Sequence, residues 1–160
     1  MKSILALATT AVLVATQSAA LSCMQPDAAQ TFQWASEAEE SYAVLLGKFS
    51  FEAPPQQPVS NDAQPQEVVA SFTGQGLAEN GFAPMAPTTV TLRTSCAGPW
   101  CGGFPSPNSE VLAFVALTDD GYVLTMGPCG GSTFGVDTAP IVEACMRGEA
   151  CTATADPAQH

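Results

Sequence analysis

Between residues 42 and 126, apolar side chains fall into short runs separated by turn-forming residues, the pattern of a chain folded mainly as strands. Residues 88–94 give the cleanest alternation: Val90 and Leu92 are set against Thr89, Thr91 and Arg93, which predicts a strand with one buried face. Residues 68–72 (Val-Val-Ala-Ser-Phe) predict a second strand. Residues 42–51 are aromatic and aliphatic, with Phe49 and Phe51 alternating, and predict another. Gly47 within that run marks a bend or bulge, as a barrel strand needs where it turns a corner. Residues 111–117 and 122–126 predict two more strands, joined through Thr118-Asp119-Asp120-Gly121, where glycine accepts the positive φ of a tight hairpin. The period changes at both flanks. Over residues 27–40, Ala28, Ala29, Phe32 and Ala35 recur at helical spacing behind Asp27 as N-cap. Residues 138–147 predict a second short helix, with Pro140 in its first turn and Gly148 beyond its end.

Five strands with a short helix at each end predict either a small closed OB-like β-barrel, in which closure removes exposed sheet edges, or an immunoglobulin-like sandwich. Residues 52–66 break the pattern with Pro54, Pro55, Pro58 and Pro65 among Gln, Asn and Asp. This stretch is expected to be an exposed loop, since proline removes ladder donors and the segment has little to bury. No internal repeat is present.

The front of the chain reads differently. Lys2, the apolar residues 4–15 and the run Thr16-Gln17-Ser18-Ala19-Ala20 have the three regions of a secretory signal. Cleavage after Ala20 would make Leu21 the first residue. Cleavage after Ser22 would expose Cys23, and Ala20-Leu21-Ser22-Cys23 weakly resembles a lipobox, with Cys23 as the lipidated residue. That match has its aliphatic residue one place late and would leave an odd number of cysteines to pair. The apolar run is shorter than the about 20 residues that a membrane span requires. The expected organisation is a signal peptide over residues 1–20, a compact domain over 21–152 and a flexible tail over 153–160, in a protein that is secreted or periplasmic.

Charge narrows the function classes. The net charge is −11, and all 15 acidic residues lie beyond Ala20, where only Lys48, Arg93 and Arg147 are cationic. Nucleic acid and anionic membrane surfaces both need clustered Lys and Arg, so neither is an expected partner. A basic protein is the sharper possibility, and solubility of an exported chain is the plain one.

Six cysteines, Cys23, Cys96, Cys101, Cys129, Cys145 and Cys151, all follow the export segment, which gives them a structural role as disulfides. Their number leaves many connectivities open. Catalytic schemes lack parts. The one histidine is His160 in the tail, so no base is positioned for a Ser or Cys nucleophile. Trp100-Cys101-Gly102 echoes a redox thiol, but no second cysteine stands at Cys-x-x-Cys spacing. Paired cysteines leave no zinc ligands, and Asp119-Asp120 on a turn is too small a set for calcium. No cofactor or metal is expected. Trp34 and Trp100 read as packed aromatics rather than a ligand platform.

Three motifs in order favour the barrel: Cys101-Gly102-Gly103-Phe104, then Val111-Leu112-Ala113-Phe114-Val115-Ala116, then Tyr122-Val123-Leu124-Thr125-Met126-Gly127-Pro128-Cys129. Together with Ala43-Val44-Leu45-Leu46-Gly47-Lys48-Phe49 and Phe72-Thr73-Gly74 upstream, the chain resembles the netrin-module family, which includes the tissue inhibitors of metalloproteinases. The resemblance spans most of residues 21–135 and implies an OB-like fold. It also implies that Cys23 bridges to Cys129. The family begins with Cys-x-Cys, whereas Leu21-Ser22-Cys23 stands here, so the family partner of Cys101 is missing. The nearby Cys96 is then its substitute, and Cys145 and Cys151 close a small loop. Functionally the resemblance implies a non-enzymatic, exported protein-interaction domain, with Leu21, Ser22 and Cys23 as the candidate interaction terminus. Its alternative is inhibition of an exported zinc metalloproteinase through that terminus, and a further alternative is an undetected enzyme or carbohydrate-binding domain.

Overall fold

The computed structural model describes residues 22–149 and 151; the predicted signal segment, Leu21, the tail and His160 lie outside them. Eleven elements follow one another: α1 (Ala28–Glu37), β1 (Ser41–Ser50), β2 (Glu67–Ala78), β3 (Gly81–Pro84), β4 (Thr88–Thr94), β5 (Cys96–Ala97), β6 (Trp100–Cys101), β7 (Glu110–Thr118), β8 (Gly121–Met126), β9 (Thr133–Phe134) and α2 (Ala139–Met146), with a single 3₁₀ turn over Val136–Thr138 before α2. Five of these close a barrel. β1 pairs antiparallel with β2, β2 with β4, β4 runs parallel to β8, β8 returns antiparallel to β7, and β7 pairs antiparallel with β1. A mainly β, disulfide-braced, OB-like barrel with two short helices is therefore the architecture, and the sandwich alternative falls.

Two cores explain the strand sequences. Leu45, Phe49, Ala70, Phe72, Val90, Leu92, Ala113, Val115, Leu124 and Met126 fill the barrel. A second cluster lies outside it, where Val44 of β1 and Leu112 and Phe114 of β7 meet Ala28, Ala139 and Val142 of the helices. β1 and β7 are thus buried on both faces. That is why they read as continuous apolar runs, whereas β4, wet on its outer face, alternates. Thr94 follows the same inward phase as Val90 and Leu92. It is buried without an unmet polar group, because its hydroxyl accepts from the Gln66 amide at 2.8 Å and donates to the Gln66 carbonyl.

Gly47 is not at a bulge. The pairing of β1 with β2 runs unbroken from Leu45–Gly76 to Ser50–Ser71, with Gly47 opposite Gly74. The glycine instead permits close approach of the two strands beneath the Phe72 ring. At the β7–β8 hairpin, Thr118 pairs with Gly121 across Asp119-Asp120, and Gly121 takes φ 102°, which suits glycine.

α1 starts where its cap dictates. Asp27 keeps an extended backbone and its carboxylate accepts from the Ala29 amide at 2.8 Å and the Gln30 amide at 3.2 Å. Replacing Asp27 with Ala should therefore lower stability by about 1 kcal/mol, read as a shift in urea midpoint at constant slope. An unchanged midpoint would show that α1 does not depend on this cap.

Candidate functional site

All six cysteines pair: Cys23 with Cys129, Cys96 with Cys101, and Cys145 with Cys151. This is the pattern of a protein kept in an oxidising, non-cytoplasmic compartment. Among the described residues no helix is long and apolar enough to cross a membrane.

The first two disulfides organise one end of the barrel. β5 and β6 form a minimal hairpin, Cys96 opposite Cys101 and Ala97 opposite Trp100, closed across Gly98-Pro99 with Gly98 at φ 58°. The hairpin lies on the end of β8: Ser95 donates to the Met126 carbonyl at 2.9 Å, and Gly102 donates to the Ser95 carbonyl at 2.9 Å. A Cβ on Gly102 would sit 2.6 Å from the Met126 carbonyl carbon, so only glycine fits this approach. Three residues past Met126, Cys129 holds Cys23, and Pro26 rests against Gly130. Ser22, Cys23 and Met24 are exposed there, Met24 at 84 %. The described part of the candidate terminus and the Trp100 hairpin therefore share one end of the molecule.

The proline-rich loop over residues 51–66 comes to the same hairpin. Its conformation is held from within: Gln57 and Gln64 exchange two hydrogen bonds, side-chain amide to carbonyl at 2.9 Å and backbone amide to side-chain oxygen at 3.0 Å. Gln66 Nε2 donates to the Pro55 carbonyl at 3.2 Å. From the other side, the 102–109 segment is fastened to β1, since Asn108 donates to the Phe49 carbonyl at 2.8 Å and the Phe51 and Phe104 rings lie 6.0 Å apart. Between loop and hairpin is a cleft of about 400 Å³. Trp100, Phe104 and Val59 line it together with Pro54, Pro58, Pro99, Pro105 and Pro107, and no charged side chain does.

The two tryptophans depart from the expected packing. Trp100 is half-buried and forms part of the cleft wall, because its two-residue strand lies outside both cores. Trp34 is 56 % exposed on the solvent side of α1, held edge-on against Tyr42 at 5.2 Å. Burial, and then the neighbouring Glu40 carboxylate, push the Tyr42 phenol above its usual pKa. This is the opposite end of the barrel, where Ser41 pairs with Leu117 and the Asp119-Asp120 turn follows.

Elsewhere the surface offers little specific chemistry. Lys48 pairs with Glu110, Arg93 with Glu67 and Arg147 with Glu149, so among the described residues every cation has a carboxylate partner. Exposed pairs of this kind contribute little to stability. Their consequence is electrostatic, since each of the described Lys and Arg side chains already faces a carboxylate. The outer face of β2 and β4 carries Val69, Ser71, Thr73, Thr89 and Thr91 and no aromatic ring on which a sugar or base could stack. Among the described residues no three His, Cys, Asp or Glu side chains converge as metal ligands would. Comparison with protein-family models, curated proteins and solved structures finds no match to this chain.

Proposed function

We propose that this is an exported, non-enzymatic protein-contact domain of the netrin-module type, secreted or periplasmic, that meets its partner at the barrel end carrying Cys23, Trp100 and the proline-rich loop. One observation carries the reading. Three segments distant in sequence lie at that end, each held by a disulfide or by its own hydrogen bonds, and two of them, the proline-rich loop and the Trp100 hairpin, enclose a cleft with Trp100, Phe104 and Val59 in its wall. Rigidity of that kind lowers the entropic cost of association, which is what a contact surface gains from it. The acidic, cation-poor exterior favours a basic partner.

Photoreactive residues placed singly at Val59, Val69 and Trp34, all exposed, test this in the exported fraction of producing cells. A defined protein cross-linked from Val59, on the proline-rich loop, and not from Val69 or Trp34 is the expected result. The absence of any cross-linked partner, or turnover of a substrate by the purified protein, would overturn the reading.

The placement of Cys23 beside the hairpin supports a second version, inhibition of an exported zinc metalloproteinase by the processed terminus. Without a cysteine at residue 21 that terminus is clamped by one disulfide only, which reduces preorganisation. Sequencing the mature N-terminus identifies which residue leads. A panel of zinc proteases left fully active at micromolar protein would retire this version.

A further inference from the structure

We infer that the cleft between the proline-rich loop and the Cys96–Cys101 hairpin binds an extended apolar peptide segment flanked by Lys or Arg, a ligand class that rests on the protein-contact reading and makes it specific. Its volume of about 400 Å³ is that of a ligand pocket rather than a packing defect. Pro54, Pro58, Pro99, Pro105 and Pro107 have no backbone N–H yet keep their carbonyls, and the Gln57 and Gln66 side-chain amides already donate within the loop, so the wall offers carbonyl acceptors beside a few donors, the Gln56 amide and the Trp100 indole among them. A complementary ligand brings N–H groups of its own, as an extended backbone and Lys or Arg side chains do. Trp100, Phe104 and Val59 supply flat apolar area for its central side chains.

Electrostatics selects the flanks. Glu52 and Asp62 are exposed, each beside a lining residue, Ala53 and Ala63. Lys48, Arg93 and Arg147 are engaged by other glutamates, so no described cation is left to neutralise this rim. On a chain of net charge −11, the field at the cleft attracts cationic segments and repels acidic ones. The opposite end of the barrel also carries carboxylates and exposed Trp34, none of which lines this cleft.

The test is a titration of the purified, disulfide-intact mature protein with the labelled peptide Lys-Arg-Pro-Leu-Val-Pro-Leu-Arg-Lys and with its counterpart carrying Glu at every basic position. Anisotropy reads binding, and amide and indole resonances locate it. Saturable binding of the basic peptide alone is expected, weakening as salt is raised, with shifts at Gln56, Gln57, Gly102, Gly103 and the Trp100 indole. Trp100→Ala should weaken it about tenfold, and Glu52→Gln with Asp62→Asn about threefold. Val59→Arg, at a position 69 % exposed and outside both cores, should abolish it by placing a cation in the cleft without disturbing the fold. No saturable binding, equal binding of both peptides, or shifts confined to Trp34 and Tyr42 would overturn the inference. A partner cross-linked from Val59 while neither peptide binds would overturn the inference and leave the protein-contact reading in place.

Discussion

Replacing Cys23 and Cys129 together with serine will destabilise the protein by about 4–5 kcal/mol, more than the loss of either other disulfide, in the chain-entropy account of cross-links. The bond spans 106 residues, whereas Cys96–Cys101 and Cys145–Cys151 span 5 and 6. A long closure removes far more freedom from the unfolded chain than a short one, and the same relation gives about 2 kcal/mol for each short loop. Ahead of α1, whose Ala28 and Ala29 are buried, the contact of Pro26 with Gly130 is what supplements the bond. The expected readout is a fall in melting temperature of roughly 10–15 °C for a domain of this size. A steeper urea dependence should accompany it, because the uncrosslinked denatured state exposes more surface. The Cys96→Ser, Cys101→Ser variant should melt within roughly 6 °C of the parent but lose the fixed hairpin on which the cleft depends. Equal melting of the parent and the Cys23→Ser, Cys129→Ser variant would show that the terminus is held by packing instead.

What could be read from the residues, and what could not, follows from the length over which each signal repeats. β4 was legible to its ends because its outer face is wet and its inner face buried, so Val90 and Leu92 alternate with threonines for seven residues. β1, β7 and β8 were legible as apolar runs, but nothing in such a run distinguishes one core from two. That helices cover the outer side of β1 and β7 emerges only from the closed fold. β2 continues to Ala78, past Phe72, where Gly74 and Gly76 interrupt the side-chain pattern while the backbone keeps its partners in β1 and β3. β5, β6 and β9, two residues each, are too short to carry any period, and the four residues of β3 include Gly81 and Pro84. The cleft was hidden for a related reason. Its prolines sit in two groups, at residues 54–58 and 99–107, and a loop and a hairpin so far apart become one surface only once β1, β2 and β4 are in register. The available signal was compositional: both groups join proline to apolar side chains, Val59 in one and Trp100 and Phe104 in the other.

The second large effect belongs to the close approach of β1 and β2 at Gly47 and Gly74. Gly47→Ala is expected to cost about 3 kcal/mol, the upper end of what inserting a single methyl into a packed interior costs. A Cβ there would lie 2.8 Å from the Gly74 Cα and 2.9 Å from the Phe72 Cζ, and closer still to the Thr73 carbonyl oxygen. Gly74 faces the reciprocal problem, with the Leu46 carbonyl, the Gly47 Cα and the same ring atom around its own added Cβ. Side chains can turn aside, but here two of the three obstacles are backbone, so relief requires β1 and β2 to separate. Phe72 has no room to yield either: it is fully buried and its ring packs against Phe49 at 5.1 Å. Trimming it isolates the two contributions. In the Gly47→Ala background, Phe72→Leu should return only part of the lost stability, since the Thr73 carbonyl and the Gly74 Cα remain in place, and in the parent it should be destabilising by about 1 kcal/mol or more through loss of ring packing. A double-mutant cycle built on urea midpoints measures both. If Gly47→Ala unfolds at the parental midpoint, the two strands do not approach as closely as the Gly47–Gly74 pairing places them; if Phe72→Leu restores full stability, the ring alone is the obstacle and the backbone contact carries none of the cost.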